Sequence, residues 1–190
     1  MATVLEGGFT AASEESARIF RAALNAMARP GHIETVGGIA PPEPLSPAAG
    51  ALFLTLADHE TPVFLAGGHD CAAVREWLAF HTGASFVERG DAVFAVGTWD
   101  ALAPVEGYRT GTAEYPDRSV TLIVERDDLV AAGTTLRGPG IETRAALNLP
   151  DESVLDFNAK RFPLGIDMFL AANDRLAAVP RSTRRAAEEG

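Results

Sequence analysis

The pattern of apolar and polar positions predicts four helices. In the first, apolar residues recur three and four positions apart from Ile19 to Met27; we expect Ser13 as its N-cap and Pro30-Gly31 as its end. The second is mostly apolar, Asp70 caps the third, and the fourth is short and precedes a Pro-Gly turn. Their predicted ranges are 48–57, 70–81 and 153–160.

Short apolar runs between these helices predict strands. The clearest covers 119–124 because it is rich in β-branched residues and bounded by charge; the others cover 62–65, 84–87, 92–96, 134–136, 166–171 and 176–179. Such alternation is typical of a layered α/β protein, and connections too short for crossover helices predict a mixed β-sheet flanked by helices. We predict a single domain over 1–190, with 1–12 and 184–190 peripheral or frayed.

Composition places this domain in a reducing compartment. With 190 residues and 47% apolar content, the chain can bury a full-sized core. No apolar run approaches the roughly 18 residues that a membrane helix needs. The N-terminus contains Glu6 and lacks the basic segment of a secretory signal. One cysteine, Cys71, excludes an internal disulfide. We therefore expect a cytoplasmic protein.

The charge pattern argues against a nucleic-acid-binding protein, because the net charge is -10 and such proteins normally carry a basic face. Any attraction for a phosphate or phosphonate must therefore come from local cations. Lys160 is the only lysine, so the basic residues are nearly all arginines. Arginine forks suit both phosphate recognition and structural ion pairs.

Metal and nucleophile patterns are weak. The four histidines (His32, His59, His69 and His81) are too scattered for a metal-ligand spacing, so we expect no metal site. The three residues Asp58-His59-Glu60 are adjacent on a helix end and point in different directions, which favours a solvated terminus over an acid–base cluster. His69 and Cys71 could form a nucleophile pair, but we interpret Cys71 as a small buried residue in a helix.

Anion contacts have better candidates. Gly138-Pro139-Gly140 lacks the Gly-Lys-Ser/Thr ending of a phosphate loop. Arg137, which precedes it, and the segment with Thr110 and Thr112 could contact an anion through side-chain forks and backbone N–H groups. The alternative is that both segments are ordinary structural turns.

The run Phe162-Pro163-Leu164-Gly165-Ile166-Asp167 predicts a rigid turn that starts a buried strand. A carboxylate at such a place needs a partner, and Arg181 and Arg137 are the expected ones because both follow a strand. Asp167 is then either a structural carboxylate or part of a binding site.

Several segments of the chain, taken in their sequence order, resemble those of the PhnH family. Its members are accessory subunits of the bacterial carbon–phosphorus lyase pathway. These segments run from about residue 18 to 183: Phe20-Arg21 with Pro30-Gly31, Leu54-Thr55-Leu56-Ala57-Asp58, Phe80-His81-Thr82, Thr110-Gly111-Thr112 with Tyr115-Pro116-Asp117, Gly138-Pro139-Gly140-Ile141, and the run ending at Asp167 with Val179-Pro180-Arg181-Ser182-Thr183.

The resemblance implies a non-catalytic subunit that supports formation of ribose 1-phosphonate 5-triphosphate from ATP and an alkylphosphonate, with release of adenine. Its partners are then other subunits of the complex, and in isolation we expect a homodimer. The alternative is an independent binding protein or enzyme that uses Asp167, Arg137 and Arg181 in a cleft. The family also resembles the pyridoxal-phosphate transferase fold without its cofactor. Lys160, the only residue able to form a Schiff base, is expected at the surface, so we expect no covalent pyridoxal phosphate.

Overall fold

The computed structural model describes residues 5–186 and consists of helices packed around a large mixed sheet. The strands of this part of the chain are β1 (Glu34–Thr35), β2 (Pro62–Leu65), β3 (Ser85–Phe86), β4 (Phe94–Thr98), β5 (Thr121–Glu125), β6 (Thr134–Arg137), β7 (Ala145–Leu147), β8 (Asp167–Ala172), β9 (Arg175–Val179) and β10 (Arg184–Arg185). The α-helices are α1 (Ala12–Ala28), α2 (Pro47–Leu56), α3 (Ala72–Thr82), α4 (Trp99–Leu102) and α5 (Ser153–Arg161).

The large sheet has seven strands in the order β1-β9-β8-β5-β4-β2-β3. The neighbours from β3 to β8 pair in parallel, whereas β9 pairs antiparallel with both β8 and β1. A separate antiparallel sheet contains β10, β6 and β7. The prediction of a layered α/β fold with a mixed sheet is confirmed.

Both faces of the large sheet are buried. Along β5, Ile123 faces the cluster that contains α1, α2 and α3, while Leu122 and Val124 face a second cluster on the other side. Successive strand residues point to opposite faces, so two buried faces produce a continuous apolar run rather than an alternating one. The run at 119–124 was recognisable as a strand for this reason.

Two predicted helix caps are wrong. Helix α1 begins at Ala12 rather than after Ser13, and the Glu15 carboxylate accepts hydrogen bonds from the backbone N–H groups of Thr10 (2.8 Å) and Ala11 (2.7 Å). Helix α3 begins at Ala72 with Cys71 at the N-cap position, and the Asp70 carboxylate accepts from the Arg75 side chain rather than capping the helix.

The terminal segments are more ordered than predicted. Arg184 and Arg185 form β10 and pair with β6, and the indole of Trp77 donates to the carbonyl of Glu6 (3.0 Å). Residues 1–4 and 187–190 of the segments expected to be frayed lie outside the described residues. The strands β1, β7 and β10 have two or three residues, too few for a periodic pattern to reveal them.

Candidate functional site

Asp167 lies at the amino end of β8 and is held by Arg181, which follows β9. The Arg181 backbone N–H donates to Asp167 Oδ1 (2.8 Å), and Arg181 Nε lies 3.2 Å from both carboxylate oxygens. Nη2 of the same guanidinium donates to Oδ2 as well. Strands β8 and β9 are antiparallel neighbours, so the end of one lies beside the start of the other. The expected contact between these residues is confirmed.

The turn that precedes Asp167 is rigid. The buried Asn158 amide donates to the carbonyl of Ile166 and accepts from its N–H, both at 2.9 Å. Gly165 has a φ of 147°, and a Cβ there would lie 2.4 Å from Asn158 Oδ1. Only glycine fits this position. The Phe162–Asp167 run therefore starts a buried strand as predicted.

Arg181 also fastens the loop between residues 109 and 119. Its Nη1 donates to the Pro116 carbonyl (2.6 Å), and its Nη2 donates to the Ser119 hydroxyl. The Gly165 N–H donates to the Thr110 carbonyl (3.1 Å), and Thr110 forms a β-bridge with Ser119. Asp167, Arg181 and Thr110 thus come together at the amino ends of β5 and β8.

This loop surrounds a cavity of about 310 Å³, which we call the arginine pocket. It is lined by Arg109, Thr110, Gly111, Thr112, Tyr115 and Arg118. Thr112 shapes the wall, because its hydroxyl accepts from the Tyr115 N–H (3.1 Å). The two predicted threonines therefore share one concave surface with two arginines, an arrangement whose chemistry suits an anion.

Arg137 lies elsewhere. It ends β6 in the small sheet, where its Nε donates to the Arg185 carbonyl (3.1 Å), and it makes no contact with Asp167. The prediction of an Arg137–Asp167 contact is wrong. Arg137 ends β6 and Arg181 follows β9, and of these two strands only β9 is a neighbour of β8.

A second cluster lies at the opposite, carboxyl edge of the sheet. Glu125 ends β5, and His69 lies in the 3-10 turn Gly67–His69 that follows β2. Their side chains are 9% and 4% exposed, and His69 Nε2 lies 3.9 Å from Glu125 Oε1. Ser46, which caps α2 with its hydroxyl, donates its backbone N–H to Glu125 Oε1 (2.8 Å). His69 Nε2 has no hydrogen-bond partner.

Burial dominates the electrostatics of this cluster. It raises the pKa of the Glu125 carboxyl to about 7, although the hydrogen bonds from Ser46 act in the opposite direction. Burial also lowers the pKa of the His69 imidazole, partly offset by hydrogen bonds with the backbone of Pro44 and Ala66. Burial thus shifts both pKa values in the direction that favours the neutral form.

Glu125 also lines a cleft of about 310 Å³, together with Thr98, Trp99, Asp100, Arg126, Asp127, Asp128 and Pro150. The carboxyl ends of parallel strands are the usual place for ligands in open α/β sheets. Sequence reasoning missed this cluster, since it treated Glu125 only as a charge that bounds a strand. The available signal was a carboxylate directly after an apolar run, matched by His69 after β2.

The other residues singled out in the sequence do not form a further candidate site. Asp58 accepts from the Glu60 N–H (2.9 Å) in an exposed turn, and Lys160 is exposed on α5, both as expected. Cys71 is half-buried and precedes α3, so its prediction as a buried helix residue is wrong.

Within residues 5–186, no group of three or more potential ligands is arranged to hold a metal ion. No helix of the described residues has the length and apolar character needed to cross a membrane.

The fold and these sites define a mixed-sheet α/β protein with an arginine-lined pocket at one sheet edge and a buried acidic residue at the other. The family model described as bacterial phosphonate metabolism protein (PhnH) matches residues 7–186, so the chain belongs to the PhnH family. It is 38% identical over 192 aligned residues, covering 95% of each chain, to the alpha-D-ribose 1-methylphosphonate 5-triphosphate synthase subunit PhnH of Rhizobium meliloti (strain 1021). The resemblance seen in the sequence is confirmed.

Proposed function

We propose that this chain is the PhnH subunit of an alkylphosphonate ribosyl triphosphate synthase in the carbon–phosphorus lyase pathway. The observation that carries the proposal is the 38% identity to a synthase subunit over 95% of both chains. In the reaction that the family resemblance implies, a phosphonate displaces adenine from ATP and gives ribose 1-phosphonate 5-triphosphate. Other subunits of the complex are the partners, and the compartment is the cytoplasm.

We propose further that the chain is an accessory subunit without activity of its own. Asp167 and Arg181, the pair that an independent enzyme would have used, largely satisfy each other and the neighbouring backbone. Arg137, the third residue of that alternative, belongs to the small sheet. These contacts support a structural pair rather than a reactive one.

The test compares the purified chain with the reconstituted complex. With ATP and methylphosphonate, we expect adenine release only when the other subunits are present. We also expect the chain to capture those subunits from phosphate-starved cells and to restore growth on methylphosphonate in a strain that lacks its own PhnH subunit. Steady turnover by the chain alone would contradict the accessory role. Failure to restore growth, with the protein folded and expressed, would contradict the subunit assignment.

The fold resemblance to pyridoxal-phosphate transferases also belongs to this proposal, with the cofactor lost. A Schiff-base lysine is activated by desolvation in an apolar pocket or by a neighbouring cation. Lys160 is exposed near the end of α5, beside Arg161, and the cleft of about 440 Å³ that it lines also contains the carboxylates of Glu106, Asp151 and Asp156. We propose that no pyridoxal phosphate is bound covalently.

Lys160→Ala is accordingly expected to support growth on methylphosphonate as well as the unchanged chain does. An exposed substitution of this kind changes the free energy of unfolding by no more than about 0.5 kcal/mol. Growth and thermal unfolding are the measurements. A well-folded Lys160→Ala protein that fails to support growth would overturn the cofactor proposal, as would a borohydride-stable pyridoxyl adduct at Lys160 in the unchanged protein.

We propose a homodimer for the isolated chain, supported by an apolar stripe on α1. Phe20 and Leu24 are one helical turn apart, and they are 51% and 58% exposed. Neighbouring exposed apolar side chains of this size are typical of a protein–protein contact surface. Sedimentation should give twice the chain mass of 20.0 kDa. Changing both residues to Glu should give the monomer, while Phe80→Glu, at the 62% exposed Phe80 on α3, should not. A monomer at micromolar concentration would contradict the proposal.

A further inference from the structure

Arg109 and Arg118 are cations without a counter-ion. Within the described residues, neither guanidinium makes a hydrogen bond or an ion pair, and that of Arg118 only stacks on the Tyr115 ring, 3.9 Å from its centroid. Arg109 is half-buried. A guanidinium without a carboxylate or carbonyl partner keeps its N–H donors available for an anion.

Most other arginines of the described chain are satisfied. Arg75, Arg181 and Arg185 bind carboxylates. Others donate to backbone carbonyls, as Arg175 does to Leu129 (2.7 Å) and Arg18 does to Gly37 (2.9 Å). Arg21 and Arg29 also lack such partners, but both are exposed at α1, where water solvates them. Arg109 differs because it is half-buried, and it shares its cavity with a second unpaired arginine.

The loop that carries these arginines is held in shape by the protein itself. Gly111 has a φ of 81°, and a Cβ there would lie 2.7 Å from the Pro116 carbonyl oxygen. Thr112 and Tyr115 exchange backbone hydrogen bonds at 3.1 Å, and Arg181 holds the Pro116 carbonyl. Because the loop is already ordered, binding an anion costs little loop conformational entropy, which favours affinity.

We propose that the arginine pocket binds a phosphoryl oxyanion, either the phosphonate group of an alkylphosphonate or the polyphosphate tail of a nucleotide. Two guanidinium forks match the several oxygens and two negative charges of such a group. No carboxylate lines the pocket, although the chain as a whole carries a net charge of -10. The choice of phosphonate or polyphosphate rests on the proposed function; the oxyanion site itself rests on the geometry.

Calorimetric titration of the isolated protein tests the proposal, with methylphosphonate and tripolyphosphate as separate probes and malonate as a dicarboxylate control. We expect saturable binding of at least one phosphoryl probe, tighter than that of malonate. Arg109→Gln and Arg118→Gln should each weaken binding about tenfold or more, the loss of one charge-assisted contact. Arg21→Gln removes the same charge outside the pocket and should change affinity less than twofold.

The probe that binds more tightly identifies the source of the phosphoryl group. Arg118 is exposed, so Arg118→Gln is expected to fold and can test the proposal even if Arg109→Gln does not fold. The proposal is overturned if neither probe shows saturable binding up to about 10 mM, because two arginines should bind a phosphoryl group more tightly than that. It is also overturned if the pocket variants bind the probes as well as the unchanged protein does. Malonate binding as tight as that of the phosphoryl probes is the third contrary result. Loss of subunit capture by the variants, without small-anion binding by the unchanged protein, would place a partner's acidic group in the pocket instead.

The two proposals can fail separately. A chain that restores growth on methylphosphonate but binds neither probe keeps the subunit assignment and loses the anion site. A chain that binds the probes through Arg109 and Arg118 but neither captures subunits nor restores growth keeps the site and loses the assignment.

Discussion

Glu125→Gln is expected to make the protein more stable at pH 8 while leaving its stability at pH 4.5 nearly unchanged. The buried Glu125 carboxyl has a pKa of about 7 in the folded protein, against 4.5 for an ordinary glutamate. Below pH 4.5 the folded and unfolded chains both hold the proton. Between pH 4.5 and 7 the unfolded chain loses it first, so stability falls as the pH rises, and the fall is complete above pH 7.

The difference between these two pKa values corresponds to roughly 3 kcal/mol of stability lost at pH 8. Glutamine cannot ionise, yet its side-chain oxygen can still accept the hydrogen bond from the Ser46 N–H. Urea unfolding at pH 4.5 and pH 8 measures the effect. The lowered pKa of His69 acts in the opposite sense, destabilising the folded state as the pH falls below 6.5, but His69 is present in both proteins.

Glu76→Gln provides the matched control, because Glu76 is exposed on α3. Its stability should stay within about 0.5 kcal/mol of the unchanged protein at either pH. If Glu125→Gln is instead less stable than the unchanged protein at pH 8, the ionised carboxylate stabilises the fold, and the assignment of burial as the dominant effect is wrong.

The sequence was most informative where the fold depends on local pattern. The strand β5 was recognisable because its two buried faces produce a continuous run rich in β-branched residues between charges, and α2 because it is mostly apolar. The state of Glu125 was out of reach, because its hydrogen bond comes from Ser46, 79 residues earlier in the chain, and its buried neighbour His69 from a third segment. Burial of a charge is a property of such long-range contacts.

The residues of the candidate site also divide into those that local sequence indicates and those that only the whole fold reveals. Sequence reasoning selected Asp167 together with Arg181 and Arg137, but it could not rank the two arginines because both follow strands. The order of strands in the sheets decides between them, and strand order depends on the whole fold. Arg109 and Arg118 gave no local signal, since an unpaired arginine is recognisable only when all its neighbours are known.

The remaining prediction concerns the pair that the sequence did select. Asp167→Ala removes the acceptor of the Arg181 backbone and side-chain donors, and it should lower the free energy of unfolding by about 1–3 kcal/mol. Arg181→Ala should cost more, because it also leaves the Pro116 carbonyl and the Ser119 hydroxyl without this donor. Since both changes break the same contact, the double variant should lose less than the sum of the two.

Asp70→Ala and Arg75→Ala are the matched control for this cycle. That pair is also an arginine–aspartate contact, but its side chains are more than 40% exposed, so its coupling should not exceed about 0.5 kcal/mol. Thermal and urea unfolding of the single and double variants, together with growth on methylphosphonate, separate two roles for Asp167. If the pair is structural, stability and growth fall together, and Arg181 acts on the arginine pocket only by holding its loop. An Asp167→Ala protein of unchanged stability that fails to support growth would show instead that Asp167 belongs to a binding site.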